Sequence, residues 1–145
     1  MKVVLAGAFG NLGAEILKSL VKAGHEVVAA DLKERTIEGT EGKYTFVSID
    51  ATNPDTLKGL CDGASVVITT MGLTGASTKF TSYDIDYQGN MNLYAEAKKA
   101  GVKKFNYISV IFWKFDSKLR IYKYDYFCVS NCIFRNNAFN NTKRQ

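Results

Sequence analysis

Three glycines spaced three apart, Gly7, Gly10 and Gly13, stand directly behind the apolar run Val3-Val4-Leu5-Ala6, with Ala8, Phe9, Asn11 and Leu12 filling the gaps between them. A buried strand, a tight turn and the first turn of a helix are written in that one stretch. Gly7 permits the turn off the strand, Gly10 lets an oxyanion approach the backbone with no Cβ in the way, and Gly13 lets the helix pack close to the strand. The helix N-terminus then offers unpaired N–H groups and a partial positive charge, an arrangement suited to the pyrophosphate of a dinucleotide.

Further candidates fall at the ends of later strands. Asp31 follows Gly13 by 18 residues. A carboxylate there can accept hydrogen bonds from a ribose 2′-hydroxyl and repels a 2′-phosphate, which favours NAD over NADP; Lys33 and Arg35 lie close behind and soften that preference. Asp50, followed by Ala51, is placed either to meet the adenine edge or to form the turn Asp50-Ala51-Thr52-Asn53. Thr70, Met71 and Gly72 end another strand and are expected beside the ribose and nicotinamide, although Gly72 reads equally well as a turn residue.

The elements that must position these residues alternate in type. Strands are predicted over Lys2–Ala6, Glu26–Asp31, Tyr44–Ser48, 65–70 and 104–109. A helix over 12–23 carries Leu12, Ile16, Leu17, Leu20 and Val21 on one face and is stopped by Gly24. The stretch 32–43 is polar and leaves room for a short turn only. Asn53-Pro54 is a helix start, with a helix expected to about Cys61. A long helix is predicted over 82–100, ended by Gly101. Strand–helix alternation of this kind specifies an α/β fold with a doubly wound parallel sheet of five strands, incomplete on its C-terminal side.

Near Val110 the composition changes. All 12 glycines precede residue 102, while residues 111–145 hold one alanine, Ala138, and half of the 18 aromatic residues. Residues 1–110 carry 12 Lys/Arg against 12 Asp/Glu, so the net charge of +5 arises wholly in the tail. The division expected is a nucleotide-binding domain over 1–110 and an atypical, disordered or loosely packed tail over 111–145, with weak strand-like alternation over 118–126. A neutral body argues against nucleic acid as a partner. The apolar run 107–113 is too short to cross a bilayer, and because the first residues already form a core strand no secretory signal is expected, which points to a cytoplasmic setting. Cys61, Cys128 and Cys132 make no disulfide framework, Cys128-x-x-x-Cys132 lacks a second ligand pair for zinc, and no carboxylate cluster suggests a metal. His25, in the turn before the second strand, sits at the end of the sheet away from the glycines.

With these residues placed, the chain resembles the atypical or extended short-chain dehydrogenases, most closely the NmrA-like NAD(P)-binding group. The resemblance rests on Gly7-x-x-Gly10-x-x-Gly13, on Asp86-Tyr87-Gln88-Gly89-Asn90-Met91-Asn92-Leu93, and on Ala97-Lys98-Lys99-Ala100-Gly101-Val102-Lys103-Lys104-Phe105 leading into Tyr107-Ile108-Ser109. It covers about three-quarters of the chain and ends near Val110. It implies a Rossmann-like fold, a nicotinamide dinucleotide as ligand, and either hydride transfer or nucleotide sensing without catalysis. Members of the family run to roughly twice this length, so the resemblance implies a truncated member.

The family's reaction centre uses a Ser after the fifth strand, then a Tyr and a Lys four residues apart on the following helix. The ammonium lowers the pKa of the Tyr hydroxyl, which exchanges a proton with the substrate oxygen. Ser109 matches the serine, and reads also as a small strand-end residue lining the cleft. No Tyr-x-x-x-Lys follows it. The one such pair in the chain, Tyr94 and Lys98, precedes Ser109 and lies on the helix entering the fifth strand, where Tyr94 is expected to pack and Lys98 to be solvated. Three readings follow: an NAD(H)-binding unit without a complete reaction centre, a non-catalytic redox-sensing or interaction module, and an oxidoreductase completed by another subunit. A bare edge beyond the fifth strand, partly covered by Phe112, Trp113 and Phe115, is expected to favour self-association.

Overall fold

A computed structural model describes residues 1–73, 79–112 and 124–133, and the side chains within 1–73 and 79–108. Its elements in chain order are β1 Lys2–Ala6, α1 Asn11–Lys22, β2 Glu26–Asp31, β3 Tyr44–Ser48, a 3₁₀ turn Pro54–Leu57, β4 Val66–Thr69, a π-helical segment Tyr83–Gly89, α2 Asn90–Lys99, β5 Lys104–Phe112 and β6 Tyr124–Ile133. The sheet order is β3-β2-β1-β4-β5-β6. The pairs joining β3 through β5 are all parallel, so the five-stranded doubly wound Rossmann-like α/β sheet read from the sequence is present.

The strand pattern explains the layering. Residues 3–6 of β1 are all buried, as expected of a strand covered on both faces. Val4, Ala6, Val28, Ala30 and Val67 join Leu57, Cys61, Leu93 and Phe105 in one core. The intervening Leu5, Val27 and Ala29 join Phe9 and Leu17 of the α1 side in another. Successive side chains of a strand point to opposite faces, so each strand serves both cores.

Three expectations need correction. The helix expected over 53–61 is one 3₁₀ turn. Asn53 accepts from the Asp55 N–H through its side chain, as a cap should, but Gly59 and Gly63 both take positive φ, a conformation that ends helical winding. The long helix over 82–100 is present in two windings, π over Tyr83–Gly89 and α from Asn90. The sheet also has a sixth strand. β6 pairs with β5 antiparallel, with Lys104 opposite Ile133 and Phe112 opposite Tyr124. A parallel partner needs a crossover of about a dozen residues or more, whereas an antiparallel one accepts a shorter return. The edge expected at β5 is therefore occupied, and among the described residues β3 and β6 stand at the two ends of the sheet. Of the segment 111–145, residues 111–112 extend β5 and Tyr124–Ile133 form β6. Trp113, Phe115 and most of the 118–126 alternation lie outside the described residues. No helix among the described residues is long and apolar enough to cross a membrane.

Leu93 fixes α2 to the sheet and is fully buried. Leu93→Ala is expected to cost about 2–5 kcal/mol in a urea unfolding experiment, the range for an unfilled leucine site.

Candidate functional site

The parallel register brings Ala6 beside Ala30 on one side and beside Thr69 on the other, so β1, β2 and β4 end together. The chain leaves β1 toward β2 by α1, while β4 lies on its opposite side. A crevice opens where connections diverge in this way. It holds a cavity of about 580 Å³, lined by Gly7, Phe9 and Gly10 from the glycine loop, Asp31 from β2, Asp50 and Ala51 after β3, and Thr70, Met71 and Gly72 after β4.

The glycine loop is shaped by two close approaches. Gly7 has φ of 77°, in the left-handed region, and a Cβ on it would lie 2.8 Å from Thr70 Oγ1. A Cβ on Gly13 would lie 1.9 Å from the Gly7 carbonyl oxygen, so the first turn of α1 crosses the end of β1 backbone against backbone. Gly10 differs. Its φ is −71°, and an added Cβ would meet only the Gly7 carbonyl oxygen, at 3.4 Å, an ordinary contact. Every other described glycine either has positive φ or would place its Cβ within 3.0 Å of a neighbour. Gly10 is the one whose lack of a side chain is not demanded by the fold, and it faces the cavity.

Gly10 is also the N-cap of α1, and no side chain caps that helix. No acidic residue stands in its first turn. Asn11 and Leu12 are exposed at that end, while Ala8 and Gly13 are buried beneath it. The helix thus presents uncapped N–H groups and its positive end to the crevice. Phe9 has two roles. Its ring packs edge-on against Tyr44 and Phe46, each 5.8 Å away between centroids, and its N–H donates to Asp31 Oδ2 at 2.9 Å. The other Asp31 oxygen accepts from the Leu32 N–H at 2.8 Å. A carboxylate at the end of β2 thereby holds the glycine loop and lies on the cavity wall at once. Lys33, Glu34 and Arg35 follow it along the same wall.

Asp50 lines the cavity and also closes a turn, accepting from the Thr52 N–H at 3.0 Å and the Thr52 hydroxyl at 2.6 Å through Oδ1. The two readings of this residue are compatible. Thr70 donates to the Gly7 carbonyl at 3.0 Å and so ties the β4 exit to the glycine loop. At Gly72, a Cβ would fall 2.7 Å from Asp86 Oδ1. Ser109 lies in β5 between Ile108 and Val110, where the pairing with β6 shifts register; its side chain is outside the described residues. Tyr94 packs edge-on against Phe105 at 5.4 Å, and Lys98 is exposed. His25 sits before β2, at the end of the sheet away from the crevice.

Sequence reasoning missed the wall behind Met71. Thr69 and Asn90 are both buried, and Thr69 Oγ1 donates to Asn90 Oδ1 at 2.6 Å. Asp86 accepts from the Leu73 N–H at 3.2 Å, and its carbonyl accepts from the Tyr107 hydroxyl at 3.1 Å. Asn92 donates to the Ala51 carbonyl at 2.9 Å. One signal was available: Asn90 is in helical step with Leu93 and Ala97, which puts an amide on the buried face of a helix.

The NAD(P)H-binding family matches residues 7–127 of this chain. The chain belongs to that family. Over 119 residues it is 30% identical to the photosystem II assembly factor Ycf39 of Synechocystis sp., covering 77% of this chain and 34% of that protein. It is 28% identical to the chloroplastic divinyl chlorophyllide a 8-vinyl-reductase of Arabidopsis thaliana, covering 77% and 30%. The chain thus spans about a third of the length of these relatives. Among solved structures, the fold is similar to a uronate dehydrogenase from Agrobacterium tumefaciens complexed with NAD, with a TM-score of 0.65 at 19% identity over 78% of this chain and 43% of that one. It is similar also to the Bordetella bronchiseptica enzyme WbmG in complex with NAD, with a TM-score of 0.64 at 21% identity over 72% and 36%. The cavity, the uncapped helix end and the bare backbone at Gly10 fit a nicotinamide dinucleotide.

Two outcomes are expected. Gly13→Ala should cost about 3 kcal/mol or more in urea unfolding, because backbone oxygen cannot yield to the new methyl. Gly10→Ala should change stability by less than about 1 kcal/mol yet weaken NAD binding by about tenfold or more by calorimetry. A second test concerns Asp86. Burial raises its carboxyl above the usual carboxylate range, against a smaller opposing effect of the Leu73 N–H. Between the ordinary value and the raised one, the folded chain holds a proton that the unfolded chain releases, so stability falls as pH rises through that interval. Asp86→Asn keeps an acceptor for the Leu73 N–H and carries no charge. Urea midpoints over about pH 4 to 8 should show the variant more stable than the parent above the interval, with a flatter profile within it.

Proposed function

We propose that this chain is an NmrA-like, atypical short-chain dehydrogenase unit that binds NAD(H) through residues 1–110 and does not by itself carry a complete hydride-transfer centre. Gly10 is the observation that carries the binding half of this reading. A helix N-cap ordinarily gains from Ser, Thr, Asp or Asn. Here a glycine that neither φ nor crowding requires occupies it, beside a cavity, which is the choice that a phosphate oxygen at the backbone imposes. The NAD preference rests on Asp31, whose carboxylate lies on the wall where a 2′-phosphate would stand.

The second half rests on residues the chain lacks. The only Tyr-x-x-x-Lys is Tyr94–Lys98, and the Tyr94 ring is used for packing against Phe105. Ser109 is followed by no Tyr-x-x-x-Lys in the sequence. Within this chain the Asp31 side arranges the adenylate half, the helix end neutralises the pyrophosphate, and the exit of β4 borders the nicotinamide half. A bound nicotinamide would supply the hydride chemistry. A cytoplasmic or other reducing compartment suits the free, buried Cys61, whose thiol burial pushes up to about 12.

Calorimetry on the folded chain tests the binding. One-to-one association with NAD and with NADH is expected, tighter than with NADP, and Asp31→Ser should bring NAD and NADP within about threefold of each other. The absence of heat with both NAD and NADH would refute the reading.

A further inference from the structure

Met71, on the cavity wall, has both of its main-chain groups held by buried side chains. Its N–H donates to Thr69 Oγ1 at 3.3 Å, and its carbonyl accepts from Asn90 Nδ2 at 3.2 Å. The Thr69 hydroxyl donates in turn to Asn90 Oδ1 at 2.6 Å, which closes a ring of hydrogen bonds around one residue. Asn90 is 6% exposed. The same Nδ2 also reaches the carbonyls of Asp86 at 3.0 Å and Ile85 at 3.3 Å.

Those two carbonyls explain why an amide is needed there. Asn90 is the first α residue after the π segment, and its own N–H is directed to the Tyr87 carbonyl. Besides its main chain, Asn90 offers its side-chain amide to carbonyls four and five residues earlier. One side chain thus stabilises the π winding and fixes the β4 exit against it. Thr70, next to Met71, donates to the Gly7 carbonyl, so the wall that Asn90 sets also abuts the glycine loop.

We propose that Asn90 is a positioning residue for the nicotinamide half of the bound dinucleotide, acting through the Met71–Gly72 backbone without touching the ligand. This rests on the NAD(H) reading above. Asn90 makes none of its side-chain hydrogen bonds to Asp31 or Asp50, whose walls serve the adenylate half. Its loss should therefore divide the two halves of the ligand. The probes are NAD and ADP, the latter having the pyrophosphate and adenosine but no nicotinamide riboside. Asn90→Asp keeps the acceptor for Thr69 and removes the donor to Met71. Asn90→Leu removes both. Thr69→Val removes the hydroxyl that joins the ring from the other side.

By calorimetry on the whole folded chain, Asn90→Asp and Thr69→Val are each expected to weaken NAD about tenfold and ADP less than twofold. The Thr69→Val, Asn90→Leu double variant should be no worse for NAD than Asn90→Leu alone, since the two residues act through the backbone of one residue, Met71. Equal losses for NAD and ADP, or no loss for either, would overturn the assignment. Should Asn90→Leu fail to fold, Asn90→Asp and Thr69→Val still decide it. A parent chain that binds ADP and NAD equally well and unchanged variants would leave the pyrophosphate site standing and remove the role of Asn90. A parent that binds neither would remove both.

Discussion

The rest of the site depends on one contact, the passage of the α1 backbone across the end of β1, where Gly13 meets the Gly7 carbonyl with no room for a Cβ. That crossing sets the height of the helix over the sheet. It brings the N-terminus of α1 to the line where β1, β2 and β4 end, and it leaves the amides of that terminus turned outward, without a capping side chain. The affinity of such a terminus for an anion is a property of the peptide group and needs no charged side chain. What the fold adds is rigidity. Asp31 from β2 and Thr70 just after β4 take hold of the loop from its two sides, so little ordering is left for a ligand to impose.

Behind the β4 exit the constraint is of another kind. The glycine loop is shaped by the absence of side chains, whereas the opposite wall is shaped by three that are polar and buried or half-buried. Thr69, Asn90 and Asp86 would each be costly if unpaired in the interior. Every one of them is spent on main-chain groups of the wall or of the π segment beside it. Gly72 and Gly89 complete that side by making room, the first for Asp86 and the second for Ala51. Asn90 joins the π segment to the wall at Met71.

The Rossmann-like body and the NAD(P)H-binding family account for the architecture from β1 to β5, and β6 then returns antiparallel along β5. The relatives are about three times longer than the region they share with this chain, so what they do as whole proteins involves residues without counterparts here. What this chain holds is the part that recognises a dinucleotide.

The local patterns were decisive for the first part of the fold. Five apolar strands, the Gly7–Gly13 spacing and the carboxylate of Asp31 could all be read directly, because strand and helix periods are set by residues two to four apart and a strand-end position follows from them. In the folded chain Gly7, Gly10, Asp31, Asp50, Thr70 and Met71 line one cavity. Other features needed the folded chain. The π segment and the antiparallel β6 were not written in local spacing, and the bonds of Asn90 to Met71 and Thr69 join residues 19 and 21 apart. The distinction between Gly13, which the backbone crossing demands, and Gly10, which it does not, is likewise invisible in a spacing of three. By itself the sequence determined which face of each element is apolar and where the chain can turn sharply, since both are properties of neighbouring residues. Which buried amide meets which carbonyl was decided by tertiary packing alone, because a hydrogen bond forms only where two distant backbones are held within about 3 Å.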